Sequence, residues 1–411
     1  MIRFFSILFA LLLSNSVYGK AAKSTVILLS VDGFAFNYLQ KYQPKNILAF
    51  AKSGVHARLL SVYPSKTFPN HLSIITGSYP VNHGIIHNSF YHPQLDEKYY
   101  LGAGKDNKTW LTAEPFWSVV ENDLMKSAVY FWPESQAIGH TAPSYNIPYN
   151  RNTSNKARID QLIAWLTLPI NQRPNFIASY FSTIDSAGHD YGIDSPELIN
   201  AISEFDKLFG YFLERINNEV NQPVNILLVS DHGMIPITEE AKVLTSLAFN
   251  NLKVTIDGVQ VTYSDTQLFI YFDKNKITKK TRISFENTLH SNLSMNKKLY
   301  SIHSKGNYPQ HWRLNSHTAV VPDIILEATP PATFVLKNKR TKFHPATHGF
   351  DQKNKTSLQG VFIAAGANIT QSRVLEPFKN IHIFPLMKTL LGLNDNTIVD
   401  GKQSVLKSII K

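Results

Sequence analysis

The sequence predicts an α/β fold, a mostly parallel sheet with helices on both faces and an inserted, smaller α+β subdomain. Three observations lead there. Short, continuous apolar runs recur along the chain and end at polar residues, helical patterns fill the gaps between them, and one internal stretch changes texture. Runs that are apolar throughout, rather than alternating, are the mark of strands buried on both faces. Strand alternating with helix puts such strands in one sheet covered above and below.

In chain order, residues 1–19 come first. Arg3 precedes the stretch Phe4–Leu13, apolar except for Ser6, and Val17-Tyr18-Gly19 carries the small residues that suit cleavage before Lys20. This falls well short of the roughly 20 apolar residues of a bilayer span. It reads as a signal peptide without a stable membrane anchor, and it places the mature chain in the periplasm or outside the cell. The core is expected over 20–243 and 341–411. Thr25–Val31 ends at Asp32, Phe176–Phe181 stops shortly before Asp185, and Asn225–Val229 ends at Ser230-Asp231. Val361–Ala365, before Gly366, is expected to be a further buried parallel strand. Helical patterns cover Lys156–Leu168 and Pro196–Asn217, the second opened by Asp194-Ser195 with Pro196 in its first turn.

The texture changes over 244–340, the expected insertion. Asp257-Gly258 between Lys253–Ile256 and Val259–Tyr263 reads as a tight hairpin, followed by strand-like Gln267–Phe272 and a polar helix near Ser284–Leu293. The chain returns to the main sheet after Arg340 or already at Val321–Ala328.

Composition narrows the function classes. Lys and Arg number 41 against 30 Asp and Glu, a net +11, but the lysines are scattered and form no long basic run. Nucleic acid is therefore not expected as the main partner. Cysteine is absent, which excludes disulfides, thiolate metal sites, a Cys nucleophile and a lipidated cysteine anchor. Any metal must be held by His, Asp or Glu.

Such residues gather at the carboxyl ends of the predicted strands, where open α/β sheets place their ligands. Asp32, Asp185 and Asp231 all fall there. His189 follows Asp185 by four residues, His232 follows Asp231 directly, and His348, in Thr347-His348-Gly349-Phe350-Asp351, comes just before the run at Val361. Oxygen and imidazole donors without sulfur fit zinc, with manganese second. Six ligands fill two three-ligand sites, and two metals about 3.5–4 Å apart can steady the attacking and leaving oxygens of phosphoryl transfer. Asp-Gly and Asp-His-Gly alone mostly mark turns; their joint placement after strands carries the metal reading. The segment Tyr63–His71 adds a threonine. Pro69 suits a first helical turn and Gly77 its stop, so Thr67 falls at or near an N-cap, where free N–H groups face an anion. Thr67 is either a plain cap or, beside two metals, an ionisable nucleophile.

With these residues in place the sequence closely resembles the nucleotide pyrophosphatase/phosphodiesterase family of the alkaline phosphatase superfamily, in its bacterial single-domain form. The motifs are Val31-Asp32-Gly33-Phe34, Ser65–His71, Thr76–Pro80, His83-Gly84-Ile85, Asn88, Phe131-Trp132-Pro133, Asp185–Gly192, Ser230–Met234 and Thr347–Asp351. The resemblance implies an alkaline phosphatase-like core with one zinc on Asp185, His189 and His348 and another on Asp32, Asp231 and His232. It implies that Thr67 attacks phosphorus from the second metal, and so counts among its ligands, while Asn88 and the Thr67–Phe68 backbone hold a phosphoryl oxygen. Phe68 and Tyr149 would sandwich a nucleobase in a slot also lined by Trp132. The implied function is an extracytoplasmic, two-zinc hydrolase of nucleotide phosphodiester or pyrophosphate bonds that releases nucleoside 5′-monophosphates through a threonyl intermediate. The lack of cysteine departs from the animal members and their disulfides, and the catalytic domain is expected to stand alone.

Rival readings keep the same core. A phosphodiesterase for choline-type lipid head groups needs a different slot. A phosphomonoesterase needs an added cation near the nucleophile, which Arg58 or Arg151 would have to supply through the fold. A silent metal-containing binding protein would not require Thr67. The preferred nucleotide, the leaving group and the oligomeric state are not fixed by the sequence.

Overall fold

The computed structural model describes residues 24–252, 257–296, 298–314, 318–336, 344–353 and 355–411. The expected signal peptide and the first arm of the expected hairpin, 253–256, lie outside the described residues.

Thr25–Val31 lies inside the main sheet, parallel to Phe176–Phe181 on one side and to Val224–Val229 on the other. Ser127–Tyr130 and Tyr145–Ile147 continue the parallel set beyond Phe176–Phe181. Every residue of Thr25–Val31 is buried, and its side chains alternate between two apolar layers. Val26 and Leu28 pack with Leu72, Ile75 and Phe384, while Ile27, Leu29 and Val31 pack with Leu162, Phe205 and Phe209. That is the period-2 geometry of a strand covered on both faces. The covering helices start as their sequences direct: Ser154 Oγ accepts from Ala157 N at 3.1 Å ahead of Asn155–Leu166, and Ser195 Oγ accepts from Leu198 N at 3.1 Å ahead of Pro196–Glu219. The fold is α/β, with a mixed, mostly parallel sheet.

One strand departs from expectation. Gly360–Gly366 enters the sheet between Val224–Val229 and Val55–Leu60 and runs antiparallel to both. A run buried on both faces is apolar whichever way it points, so its composition carries no direction. The consequence is positional. A reversed strand begins where its neighbours end, and the segment before it, with His348, arrives at the edge where Asp32, Asp185 and Asp231 leave their strands.

A second, antiparallel sheet has the order Val259–Tyr263, Gln267–Phe272, Ile324–Ala328, Tyr300–Ser304, accompanied by the helix Lys279–Asn296. Val259–Tyr263 pairs with Gln267–Phe272 across the turn at Ser264, whose hydroxyl accepts from Thr266 N and Gln267 N. Ile324–Ala328 belongs to this sheet, so the alternative of a return to the main sheet at Val321–Ala328 is corrected: its partners are Gln267–Phe272 and Tyr300–Ser304. No helix among the described residues is long and apolar enough to cross a membrane.

Candidate active site

The six expected metal ligands meet at one sheet edge. Asp32 and Asp231 stand just past their strands, both fully buried. Asp185 sits in the first turn of the helix Thr183–Tyr191, and His189 one turn later shares its face, with Nε2 3.6 Å from Asp185 Oδ1. His348 Nε2 approaches the same oxygen at 3.8 Å. His232 Nε2 lies 2.9 Å from Asp231 Oδ2 and 3.3 Å from Asp32 Oδ1. The ligand atoms fall into two close groups, Asp32–Asp231–His232 and Asp185–His348–His232. His189 joins the second group through Asp185, and His232 stands at the join, its ring stacked on His348 with centroids 3.5 Å apart.

The hydrogen bonds on the far side of these rings decide what the cluster can hold. His189 Nδ1 meets Ala346 O at 3.0 Å, His348 Nδ1 meets Ser65 O at 2.8 Å, and His232 Nδ1 meets Gly233 O at 3.1 Å. A carbonyl only accepts, so each Nδ1 carries a proton, and Nε2 is the ring nitrogen turned inward to serve as ligand. Facing them, Asp32 Oδ1, Asp185 Oδ1 and Asp231 Oδ2 are buried and accept no hydrogen bond. Buried lone pairs facing lone pairs repel unless a cation stands between them, and this donor set fits divalent metal.

Burial acts to lower the His232 ring, but Asp231 beside it prevails and raises it, as expected of an imidazole facing carboxylates. Burial, then Asp185 and Asp231, pushes the Asp32 carboxyl well above its ordinary range, and burial raises Asp185 too. Burial also acts to raise Asp231, but His232 and His71 beside it prevail and hold it well below. Burial, reinforced by His232 and Lys66, keeps the His348 ring well below the usual imidazole range, hence neutral and able to ligate.

Thr67 is the first residue of the helix Thr67–Thr76, which stops at Gly77 in the left-handed region, φ 67°. The cap position belongs to Lys66 and no side chain caps the helix, so the plain-cap reading of Thr67 does not hold. Its Oγ1 lies instead 3.3 Å from His232 Nε2. Asn88 Oδ1 accepts from Phe68 N at 2.9 Å. That N–H is thereby engaged, and the amide nitrogen of Asn88 is a donor left for a ligand beside the helix N-terminus at Thr67.

Three supporting residues escaped the sequence reading. Asn70 is buried and ties the turn before Thr67, with Oδ1 accepting from Val62 N at 2.7 Å and Nδ2 donating to Pro64 O at 2.9 Å and Lys66 O at 2.8 Å. His71 Nδ1 donates to Thr67 O at 2.8 Å and its Nε2 meets Ser30 Oγ at 2.8 Å. Tyr180 donates its hydroxyl to Asp32 Oδ2 at 2.6 Å. The four-residue spacing of His71 from Thr67 was the available signal; Tyr180, inside an apolar run, offered none.

The expected base slot is brought together only in part. Phe68 is half-buried, edge-on to Tyr99. Tyr149 is 57% exposed and leans towards Phe131 and Tyr180. Trp132 is 3% exposed, donates its indole N–H to His71 O at 3.3 Å and packs edge-on to the His71 ring, so it braces the helix that carries Thr67. A cleft of about 750 Å³ opens beside Asp185, His189 and His348, and none of these three aromatics lines it. Arg58 is turned away onto Phe36 and Gln359, and Arg151 is exposed; neither lines the cleft, whereas Lys66 does.

Known proteins share this arrangement of sequence and fold. Residues 26–351 match the family described as type I phosphodiesterase/nucleotide pyrophosphatase. The chain is 34% identical over 383 residues to ectonucleotide pyrophosphatase/phosphodiesterase family member 3 of Bos taurus, covering 90% of this chain and 42% of that protein. It is 31% identical over 386 residues to venom phosphodiesterase 2 of Crotalus adamanteus, at 90% and 46% coverage. An uncharacterised pyrophosphatase/phosphodiesterase of Schizosaccharomyces pombe is 29% identical over 388 residues, at 90% and 77% coverage. The chain thus spans less than half the length of these two animal relatives. Its fold is similar to that of murine ectonucleotide pyrophosphatase/phosphodiesterase 5, solved as an inactive variant in complex with AMP, with a TM-score of 0.83 at 24% identity over 95% of this chain and 100% of that one. The matched segment contains Thr67 and all six clustered carboxylates and imidazoles, and the chain belongs to the type I phosphodiesterase/nucleotide pyrophosphatase family of the alkaline phosphatase superfamily.

Proposed function

We propose that the chain is an extracytoplasmic, two-zinc hydrolase that cleaves nucleotide phosphodiester or pyrophosphate bonds and releases nucleoside 5′-monophosphates. The observation that carries this reading is the hydroxyl of Thr67, 3.3 Å from His232 Nε2, at the rim of a six-ligand cluster whose inward carboxylate oxygens lack hydrogen bonds. Asp185, His189 and His348 would hold one zinc, and Asp32, Asp231 and His232, with Thr67, the other. Zinc there supplies Lewis acidity and positive charge for phosphoryl oxygens.

The chain's own residues do the rest. Thr67 Oγ1 forms a bond to phosphorus while the bond to the leaving oxygen breaks, and water hydrolyses the resulting threonyl-phosphoryl intermediate. The amide nitrogen of Asn88 and the helix N-terminus at Thr67 stand where charge develops on the non-bridging oxygens. Asn70 and His71 fix the backbone that presents the hydroxyl, so little reorganisation is needed as the reaction proceeds. Phe68 and Tyr149 hold the base. An extracytoplasmic location is supported by the signal-like pattern of residues 1–19 and by relatives named as ectoenzymes and venom enzymes. The monoesterase alternative is weakened because Arg58 and Arg151 do not line the cleft, and Lys66, which does, is already paired with Asp265.

The test is the purified chain with zinc, assayed side by side on a nitrophenyl nucleotide diester, nitrophenyl phosphate and a phosphocholine ester. The nucleotide diester should be the best substrate by at least tenfold. Preference for either of the others would overturn the substrate class, and inertness towards all three would overturn the enzyme reading.

A further inference from the structure

Lys66 immediately precedes the nucleophile, and its side chain runs across to the inserted sheet, where Nζ donates to Asp265 Oδ1 at 2.7 Å. On the way it crosses Gly349, the residue after His348. The backbone there has φ +112°, and a Cβ would stand 2.2 Å from Lys66 Cε, so the loop that delivers a metal ligand is bare where the lysine passes. The other Asp265 oxygen takes the hydroxyl hydrogen of Thr347. Burial alone would raise the Asp265 carboxyl, but Lys66 and Thr347 hold it at about 2. The two side chains, 2.7 Å apart, form an ion pair that is neutral in sum.

Its two halves are unequally accessible. The Lys66 side chain is 8% exposed and that of Asp265 40%, and both border the cleft beside Asp185, His189 and His348. Phe68 and Tyr149 are not among the cleft's walls, which include Tyr263 and Phe334 instead. With a base held at Phe68 and Tyr149, the cleft is the space left for the group that departs. That group meets a carboxylate first, with the ammonium sheltered behind it.

We propose that Asp265 is a specificity-determining residue for the leaving group: by pairing with Lys66 it withdraws the cation that the nucleophile's segment would offer, and so disfavours polyanionic leaving groups relative to weakly charged, aromatic or apolar ones. This rests on the nucleotide phosphodiesterase reading above.

The experiment compares kcat/KM for a nucleoside 5′-triphosphate, which releases pyrophosphate, with that for the nitrophenyl ester of the same nucleoside monophosphate. Each enzyme's ratio of the two cancels differences in folded fraction and zinc content. Asp265→Asn should raise the triphosphate-to-ester ratio about tenfold, a change of about 1.4 kcal/mol in relative barrier. Lys66→Met should lower it about tenfold, and the double variant, neutral again, should return to within about threefold of wild type. If Lys66→Met does not fold, the rise in Asp265→Asn and its reversal in the double variant still decide. Single variants that move the ratio in the same direction, or by less than twofold, overturn the proposal. A wild-type enzyme that cleaves neither nucleotide would instead sink the functional reading, whereas cleavage of both with an unmoved ratio sinks only the role of Asp265.

Discussion

At the scale of single residues, Thr67 carries the sharpest commitment. Its hydroxyl neither caps its helix nor bonds to backbone, and it faces the metal-ligand cluster. Thr67→Ala should leave folding unchanged, and zinc bound because Asp32, Asp231 and His232 remain to hold the second ion, while lowering diesterase kcat/KM by at least a hundredfold; activity within about tenfold of wild type, some 1.4 kcal/mol of barrier, would show that water attacks directly. A second prediction separates base recognition from chemistry. Tyr149→Ala should weaken kcat/KM for nucleotide diesters by about ten- to a hundredfold, in keeping with roughly 1–3 kcal/mol per stacked base. Bis-nitrophenyl phosphate, which has no base, should be cleaved nearly as before, and equal losses on both substrates would assign Tyr149 to the fold. The clustering of the proposed metal ligands was legible in the sequence because a strand end is visible as an apolar run meeting a polar residue, and Asp32, Asp185 and Asp231 all follow such ends. Asn70, Tyr180 and the Lys66–Asp265 pair were not, since their partners are 148 and 199 residues away or are backbone atoms, and no local pattern encodes that.

At the scale of elements, the helix Thr67–Thr76 matters as the mount of Thr67, the proposed nucleophile. Three hydrogen bonds made by one buried amide hold its entry: Asn70 accepts from Val62 N and donates to Pro64 O and Lys66 O. Asn70→Ala would strand these groups, at about 1–3 kcal/mol for each left unsatisfied. The expected result is a clearly lowered Tm together with a fall in kcat larger than the change in KM, because Thr67 loses its fixed position. A drop in Tm with unchanged kcat in the folded fraction would make Asn70 purely structural. Strand existence and helix starts were readable here, Ser195-Pro196 being a clear case, but strand direction was not. Gly360–Gly366 shows why: direction is set by where the chain must come from, and the preceding segment was occupied in delivering His348 to the catalytic edge.

At the scale of the whole molecule, the inserted sheet meets the core through a buried carboxyl. Glu327, on the strand Ile324–Ala328, accepts from Tyr63 OH at 2.6 Å, Gln267 Nε2 at 2.9 Å and Asp351 N at 2.8 Å. Tyr63 opens the segment that carries Thr67 and Asp351 closes the one that carries His348, so this single group joins the insertion to both. Burial is the largest influence on it and pushes it up to about 8 against the pull of its three donors. The sign of the pH effect follows. A carboxyl that is protonated in the folded chain but ionised in the unfolded chain above its ordinary value of 4.5 makes folding take up a proton. Its stabilising contribution is complete below about 4.5, declines as pH rises from there to about 8, and is flat beyond. With zinc saturating, Tm should therefore fall between pH 5.5 and 8.5, and Glu327→Gln should flatten that slope even if the amide, with one acceptor oxygen for three donors, lowers Tm at every pH. The slope is the readout, since a general loss of packing would shift the whole curve without changing its inclination. An unchanged slope in Glu327→Gln would mean that Glu327 is ionised in the folded protein and that the junction is held by a buried anion.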